Sequence, residues 1–464
     1  MTSQSSPAIL RNALRSAVAF TLALAACGGS SQAEQPLMQP LQMNEPPAFP
    51  GAQGYGAVSQ GGRGGRIIAV DSLADSGPGT LRECIEAKDP RVCIFRVAGT
   101  IRFTTSPPVV YNPYITIAGQ TAPGGGITLA HGGGRLGTTP LLIKGAHDVI
   151  VRHIRVRNDR IGGSRAGEDS ITIENSRKVI IDHVSASWAR DEIINGYADN
   201  DSITISWSIF AEGLPPHDKC ALLASDPVGA QRMSFISNLC AHNGDRNPDV
   251  NFPPGSCVEI VNNVLYDAQS QFAEIWESYG GSPVALVANT FRAGPSTPEH
   301  AVGIDRERLG SEGAASVYLL DNRFVGTFLH RAESLQDVVS TTPPCPLTLR
   351  AVPADRAYVE VLETAGAFPR DSTDGRIVRE VRDRSGHIRK EPGRIDDAVS
   401  GEPYPDSDED GMDDRWEASA GAKVGESDPW DDADGDGELN LDEFLAELSA
   451  DRIAGADAGR RAAQ

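Results

Sequence analysis

A right-handed parallel β-helix, an all-β solenoid, is the fold this sequence predicts, on three observations. From Val92 onward, short β-branched strand patterns follow one another with no helix-length amphipathic segment until the last third of the chain. Seven units, IVRHIRV, IIDHVSA, TISWSIF, FISNLCA, IVNNVLY, LVANTFR and LLDNRFV, align on one position: His153, His183, Trp207, Asn238, Asn263, Asn289 and Asn322. The gaps of 30, 24, 31, 25, 26 and 33 residues suit a solenoid whose loops differ in length. The four late asparagines also share one point of the unit, where stacked amides satisfy one another and the backbone of an internal bend.

The rest of the chain falls into segments around that solenoid. Residues 1–27 read as a targeting segment: Arg11 and Arg15 precede an apolar run, Ala17–Ala26, too short to span a bilayer. Its end, Leu24-Ala25-Ala26-Cys27, resembles a bacterial lipobox, which implies lipidation of Cys27 and an exported lipoprotein of the outer membrane, cell surface or periplasm. Residues 28–47 are a polar, Pro-rich spacer. The β-helix domain, 48–330, opens with a glycine-rich stretch, read as tight turns because neither GxxxxGK(S/T) nor GxGxxG stands between strand and helix. A strand at Ile67–Val70 follows. Thr80-Leu81-Arg82-Glu83 then has capping-box spacing for a short helix to about Ala87, which would cover the open end of the stack. A C-terminal extension, 331–400, contains helical segments at Arg356–Gly366 and Arg376–Arg384 and is expected to pack on the β-helix. An acidic tail, 401–450, and a disordered end, 451–464, complete the chain.

Charge and cysteines narrow the function. Of the formal net charge of −21, the segment 401–450, with 18 Asp/Glu and 2 Lys/Arg, carries −16, so the other 414 residues are close to neutral. No basic nucleic-acid footprint exists. Beyond Cys27 stand Cys84, Cys93, Cys220, Cys240, Cys257 and Cys345, with no CxxC pair, which argues for disulfides and against zinc. The most local pairing is Cys84–Cys93 and Cys240–Cys257, leaving Cys220 with Cys345; spacing does not choose among the 15 alternatives.

Two stretches carry metal chemistry. Asp169 and Asp191 are 22 residues apart, about one coil, and neighbouring coils stack about 4.8 Å apart. Such carboxylates can flank a Ca²⁺, whereas a lone Asp in a solenoid loop is more often a turn residue. In the tail, Asp406, Asp408 and Asp410 before Gly411, with Asp414 and Glu417, have EF-hand-type spacing. So do Asp432, Asp434 and Asp436 before Gly437, with Asn440 and Glu443, and a short helix, Leu441–Leu448, follows.

FPGAQGYGAVSQGGRGG, DSGPGTLREC, ITIAGQTAP, VIIDHVSASWARDE and HNGDRNP, in that order over about Ala48–Phe324, resemble the pectate lyases of polysaccharide lyase family 1. The resemblance implies a monomeric, calcium-dependent enzyme that cleaves an acidic polysaccharide, pectate, by β-elimination. It implies Asp169, Asp191 and Asn195 as calcium ligands, Asn195 standing where many members have Asp, with Glu168 and Glu192 as nearby substitutes for the missing carboxylate. It implies Arg246 as the base, with Lys219 catalytic or substrate-binding and His217 near the substrate. Asp249 stands where many members have a further Arg. Arg246 would lose its proton through the like charge of Ca²⁺ and Lys219. Two alternatives remain open: a pectin hydrolase using Asp182, Asp191 and Glu192, and a non-catalytic glycan-binding solenoid.

Overall fold

A computed structural model describes residues 40–41, 44–163, 168–311, 313–396 and 399–455. The targeting segment with Cys27, most of the spacer and the end of the tail lie outside these residues. The chain between them winds into a parallel β-solenoid of three sheets, with eleven, nine and nine strands, each strand hydrogen-bonded to its equivalents one coil before and after. Along the eleven-stranded sheet Val149 pairs with Val179, Val179 with Ile203, and Ile203 with Met233. These side chains point inward and are fully or almost fully buried, as are Ile154, Val156, Ile171 and Ile173 from the other sheets. β-Branched residues suit this interior because stacked coils place like side chains over like.

The first end of the core is closed by α1, Leu81–Glu86, which buries Leu81, Cys84 and Ile85 against the strands. Thr80 Oγ1 accepts the Glu83 N–H, and Glu83 Oε2 reaches back to the Gly79 N–H at 2.7 Å, one residue earlier than a capping box would place it. Before it, the glycine-rich segment lies flat on the eleven-stranded sheet. The Gly56 N–H donates to Thr204 Oγ1, and a Cβ at Gly56 would sit 2.3 Å from the Val179 carbonyl oxygen. Only glycine permits that approach.

The asparagine ladder is present, displaced by one residue from the predicted alignment at its start. Asn238, Asn263 and Asn289 each donate Nδ2 to the next Oδ1, at 3.2, 2.9 and 3.0 Å, ending at Asn322. The next position back is Ser208, whose N–H donates to Asn238 Oδ1, not Trp207. His153, His183 and Trp207 occupy the preceding position, at φ 52°, 52° and 48°, in register with Ser237 and Asn262. There their rings stack: His153 on His183 at 4.9 Å and His183 on Trp207 at 6.2 Å.

The disulfides are Cys84–Cys93, Cys220–Cys240 and Cys257–Cys345. The first is as expected; the other two correct the local pairing. Cys220 and Cys240 both point into the coil, whereas Cys257 begins a strand at the sheet margin and meets the C-terminal extension instead.

The C-terminal extension covers the outside of two sheets. Helices α2, Ala354–Thr364, and α3, Ser372–Asp383, press Val361, Leu362, Ile377, Val378 and Val381 onto Ile209, Leu239 and Val264 of one nine-stranded sheet. Leu349 and Ala354 cover Ile236, Val261 and Val287 of the eleven-stranded sheet. The acidic tail, with α4, Asp414–Ala420, and α5, Asn440–Ile453, covers Val92, Ile94 and Ala118 of the same sheet. The apolar clusters outside the core therefore lie on two of the three sheets. The remaining nine-stranded sheet carries none of these clusters on its outer face, where polar side chains such as Thr172 and Asn195 stand among apolar ones such as Leu142 and Leu222.

Candidate active site

That third sheet carries a groove of about 680 Å³ lined by Asp169, Asp191, Glu192, Asn195, His217 and Arg246 among others. Strand pairing places them. Ile171 pairs with Ile194 across 23 residues, so Asp169 lies level with Glu192 and Thr172 with Asn195. In the next coils Glu192 pairs with Lys219, and Leu222 with Asp249. Alternation along each strand keeps Ile171, Ile173 and Ile194 inside and aims Thr172 and Asn195 into the groove.

Carboxylate oxygens of Asp169, Asp191 and Glu192 lie within 4.8 Å of one another. Asp169 is buried and accepts from Thr172 Oγ1 at 2.6 Å, the Glu192 N–H at 3.2 Å and Asn195 Nδ2 at 3.4 Å. Burial, and then Glu192, push its pKa well above the ordinary carboxylate value. Burial and the Asp191 charge likewise push Glu192 up to about 7, against the pull of Arg246. Asn195 sits beside the trio with its Oδ1 buried and lacking any hydrogen-bond donor. Three crowded carboxylates and an orphaned amide oxygen form an oxygen-only donor set that fits a hard divalent cation of the calcium class. Of the two nearby substitutes for the missing carboxylate, Glu192 is the one stacked directly on Asp169 and grouped with Asp191.

Arg246 projects over the same trio. Its carbonyl accepts the Ala221 N–H, and the next residue's N–H donates to the Phe272 carbonyl, so strands on both sides fix it. Its Nη1 pairs with Glu192 Oε1, and its Nε lies 3.6 Å from Asp249. Burial opposes its charge, but Asp249, Glu192 and Glu274 outweigh burial and raise its pKa. Of the expectation that Ca²⁺ and Lys219 together drive off its proton, the lysine half is corrected: Lys219 Nζ is turned to Asp245. His217 is exposed at the groove mouth, its Nδ1 3.1 Å from Asp191 Oδ1. Asp249 is buried, and burial with Glu274 raises its pKa well above normal. Asp182, in contrast, faces out of the eleven-stranded sheet, paired with Arg152 at 2.9 Å and His183 at 2.7 Å. It is remote from the groove strands.

The acidic tail folds into two loops of the same design. Asp406 accepts from the Asp410 and Gly411 N–H groups, both at 3.1 Å. Asp432 accepts from the Gly435 and Gly437 N–H groups at 2.8 and 3.0 Å. Gly411 and Gly437 sit at φ 91° and 100°, the turn that position six of such a loop requires. Carboxylates of Asp406, Asp408 and Asp410 converge, as do those of Asp432, Asp434 and Asp436, the latter group exposed. Asp414 instead accepts from Ser407 within the loop. Asn440 is fully buried and clamps backbone, accepting from the Ala433 N–H and donating to the Asp428 carbonyl, so its amide is committed. Glu443 lies in the first turn of α5 and is half-buried.

No known protein-family profile matches the chain. Among curated proteins, it is 33% identical over 399 residues to a probable pectate lyase C of Aspergillus flavus, covering 83% of this chain and 90% of that one. It is 35% identical over 392 residues to a probable pectate lyase C of Emericella nidulans, covering 81% and 86%. Among solved structures, the major allergen from cedar pollen superposes with a TM-score of 0.54 at 20% identity, over 68% of this chain and 92% of that one, a likeness of fold.

Proposed function

The chain belongs to the pectate lyase family and is a polysaccharide lyase, and from that premise we propose that it cleaves α-1,4-linked polygalacturonate by calcium-dependent β-elimination in the groove around Arg246. The carrying observation is the juxtaposition of a fixed arginine with three carboxylates whose oxygens lie within 4.8 Å of one another. A hydrolase needs a carboxylate pair flanking a water. Asp182, one of its three nominees, belongs to another sheet, and the remaining two are crowded together with Asp169.

Asp169, Asp191 and Glu192, with the Asn195 carbonyl oxygen, would hold the cation. When bound, calcium supplies positive charge to the uronate carboxylate and to Glu192, which lowers the energy of the carbanion at carbon 5 and weakens the carboxylate grip on the arginine proton. Arg246, having first released one N–H proton to solvent, then takes the carbon-5 proton on its neutral guanidine and is left as the guanidinium. The C4–O bond breaks with its electron pair leaving on the glycosidic oxygen, which takes a proton from solvent. A C4–C5 double bond forms and no water is added. His217 at the mouth and Lys219 beside Asp245 would orient substrate carboxylates. Export of a monomer belongs to the same reading: three disulfides suit an oxidising compartment, and lipidation at Cys27 would tether it to a membrane.

The test is product chemistry. Polygalacturonate incubated with the full chain and Ca²⁺ should yield an ultraviolet-absorbing 4,5-unsaturated uronide, and chelator should stop it. New reducing ends without absorbance would instead show hydrolysis, and binding without turnover would end the catalytic reading.

A further inference from the structure

Two independent twelve-residue loops leave Asp428 unexplained. It belongs to neither loop, yet it closes the first one from outside. Its N–H donates to Asp410 Oδ2 at 3.1 Å, and its Oδ2 accepts the Lys423 N–H at 3.0 Å. Oxygens of Asp410, Glu417 and Asp428 lie within 4.8 Å of one another, and all three residues are buried. Glu417 is 0% exposed, and neither of its carboxylate oxygens has a hydrogen-bond partner; Asp428 Oδ1 and both Asp408 oxygens are in the same condition.

Positive side chains nearby serve other carboxylates: Arg96 lies 3.6 Å from Asp406, and Lys423 pairs with Glu426 and Asp431. Buried carboxylates without donors are costly unless they are paired or hold a metal. An all-carboxylate cage of this size takes a hard cation with six to eight oxygens around it.

We propose that Asp410, Glu417 and Asp428, joined by Asp406 and Asp408, form one calcium site that spans the linker between the two loops, and that the bound ion is the clasp holding the acidic tail on the first coils of the solenoid. The positions on either side of the site are the tail's anchors. Met412 and Trp416 pack with Phe444, Leu445 and Leu448 of α5 over Val92, Ile94 and Ala118. Asn440, at the start of α5, donates to the Asp428 carbonyl at 2.9 Å. Trp430 Nε1 donates to the Gly65 carbonyl, and Asp442 pairs with Arg63 at 2.6 Å. At its far end α5 carries Ser449 to Arg152 and His153. Without the ion, mutual repulsion of the carboxylates opposes this docking; with it, the linker closes and α4 is fixed to α5.

The site is independent of the groove, and the experiment keeps them apart. Terbium is the probe, since Trp416 adjoins Glu417. Trp430 also lies two residues from Asp432, so every chain titrated, wild type included, carries Asp434→Asn to weaken the second loop, and sensitised emission then reports the site of Asp410, Glu417 and Asp428. The full chain is titrated as wild type, Asp428→Asn, Glu417→Gln and the groove variant Asp169→Asn. Sensitised emission should require at least tenfold more terbium in Asp428→Asn and Glu417→Gln, and remain as in wild type in Asp169→Asn. Limited proteolysis should cut both tail variants within residues 401–450 at calcium concentrations that protect the wild type. Lyase activity of Asp428→Asn at saturating calcium should stay at the wild-type level. Wild-type terbium affinity in both tail variants, or equal protease resistance with and without calcium in the wild type, would overturn the proposal, whatever the outcome in the groove.

Discussion

Replacing Glu192 with Gln should remove a pH-dependent instability from the cation-free protein. Glu192 is buried beside Asp169 and Asp191, and its pKa rises from 4.5 to about 7 on folding. The folded state therefore holds this proton more tightly than the unfolded chain. Stability is lost as pH climbs through that window and is level above it. At about 1.4 kcal/mol per unit, the charged form costs about 3 kcal/mol at pH 8 and about 1 kcal/mol at pH 5. Glu192→Gln keeps the shape and removes the charge, at the expense of the ion pair with Arg246. That loss shifts the curve without changing its slope over this range. Urea unfolding in excess chelator should show the wild type losing about 2 kcal/mol more than the variant between pH 5 and pH 8. Added calcium should then stabilise the wild type far more than the variant. Parallel pH profiles would refute the reasoning, because they would mean that Glu192 is not crowded by the other two carboxylates.

Three further outcomes follow from the same structure. Calcium affinity in the groove, measured by calorimetry as the binding heat that Asp169→Asn loses relative to the wild type, should rise up to about tenfold per unit between pH 5 and 7 with proton release, then level off. Asn263→Ala removes amide bonds to Asn289 and to the Phe235 carbonyl, both 2.9 Å, and takes the acceptor from the Asn238 backbone N–H at 2.8 Å, while Asn238 Nδ2 keeps its bond to the Ile205 carbonyl. At about 1–3 kcal/mol per buried group left unpaired, it should cost roughly 3 kcal/mol in denaturant unfolding, and Asn→Ala at an exposed site should not. Phe444→Ala should lower the midpoint of tail unfolding, at a cost of about 3 kcal/mol, since Phe444 packs 5.4 Å from both Tyr404 and Trp416; lyase activity should remain.

The solenoid was legible because its signal is repeated: β-branched triplets such as Val179-Ile180-Ile181 recur, and Asn238, Asn263, Asn289 and Asn322 stack as their spacing suggested. The alignment slipped by one at His153, His183 and Trp207 because polar and aromatic character marks both the bend and the ladder beside it. Only strand register, Asp182 with Ser206 and Ser206 with Ile236, separates the two. The conformation of the two acidic tail loops was legible because it is local, set by glycines at fixed positions. Glu192 was legible only as a substitute: a 22-residue count selects Asp191 as the neighbour of Asp169, whereas the coil takes 23 residues here and stacks Glu192 there. Lys219 turning to Asp245, Cys257 reaching Cys345 and Asp428 closing on Asp410 depend on chain segments that meet only in the folded state.

Arg246 as the group that takes the carbon-5 proton is the central claim, and kinetics of Arg246→Ala on polygalacturonate test it most directly. The variant should keep the calcium-induced rise in unfolding temperature and bind substrate, yet form unsaturated product at least about a thousandfold more slowly, a loss in kcat rather than KM. Turnover within tenfold of the wild type, with the same unsaturated product, would contradict the assignment and return the base to another residue of the groove.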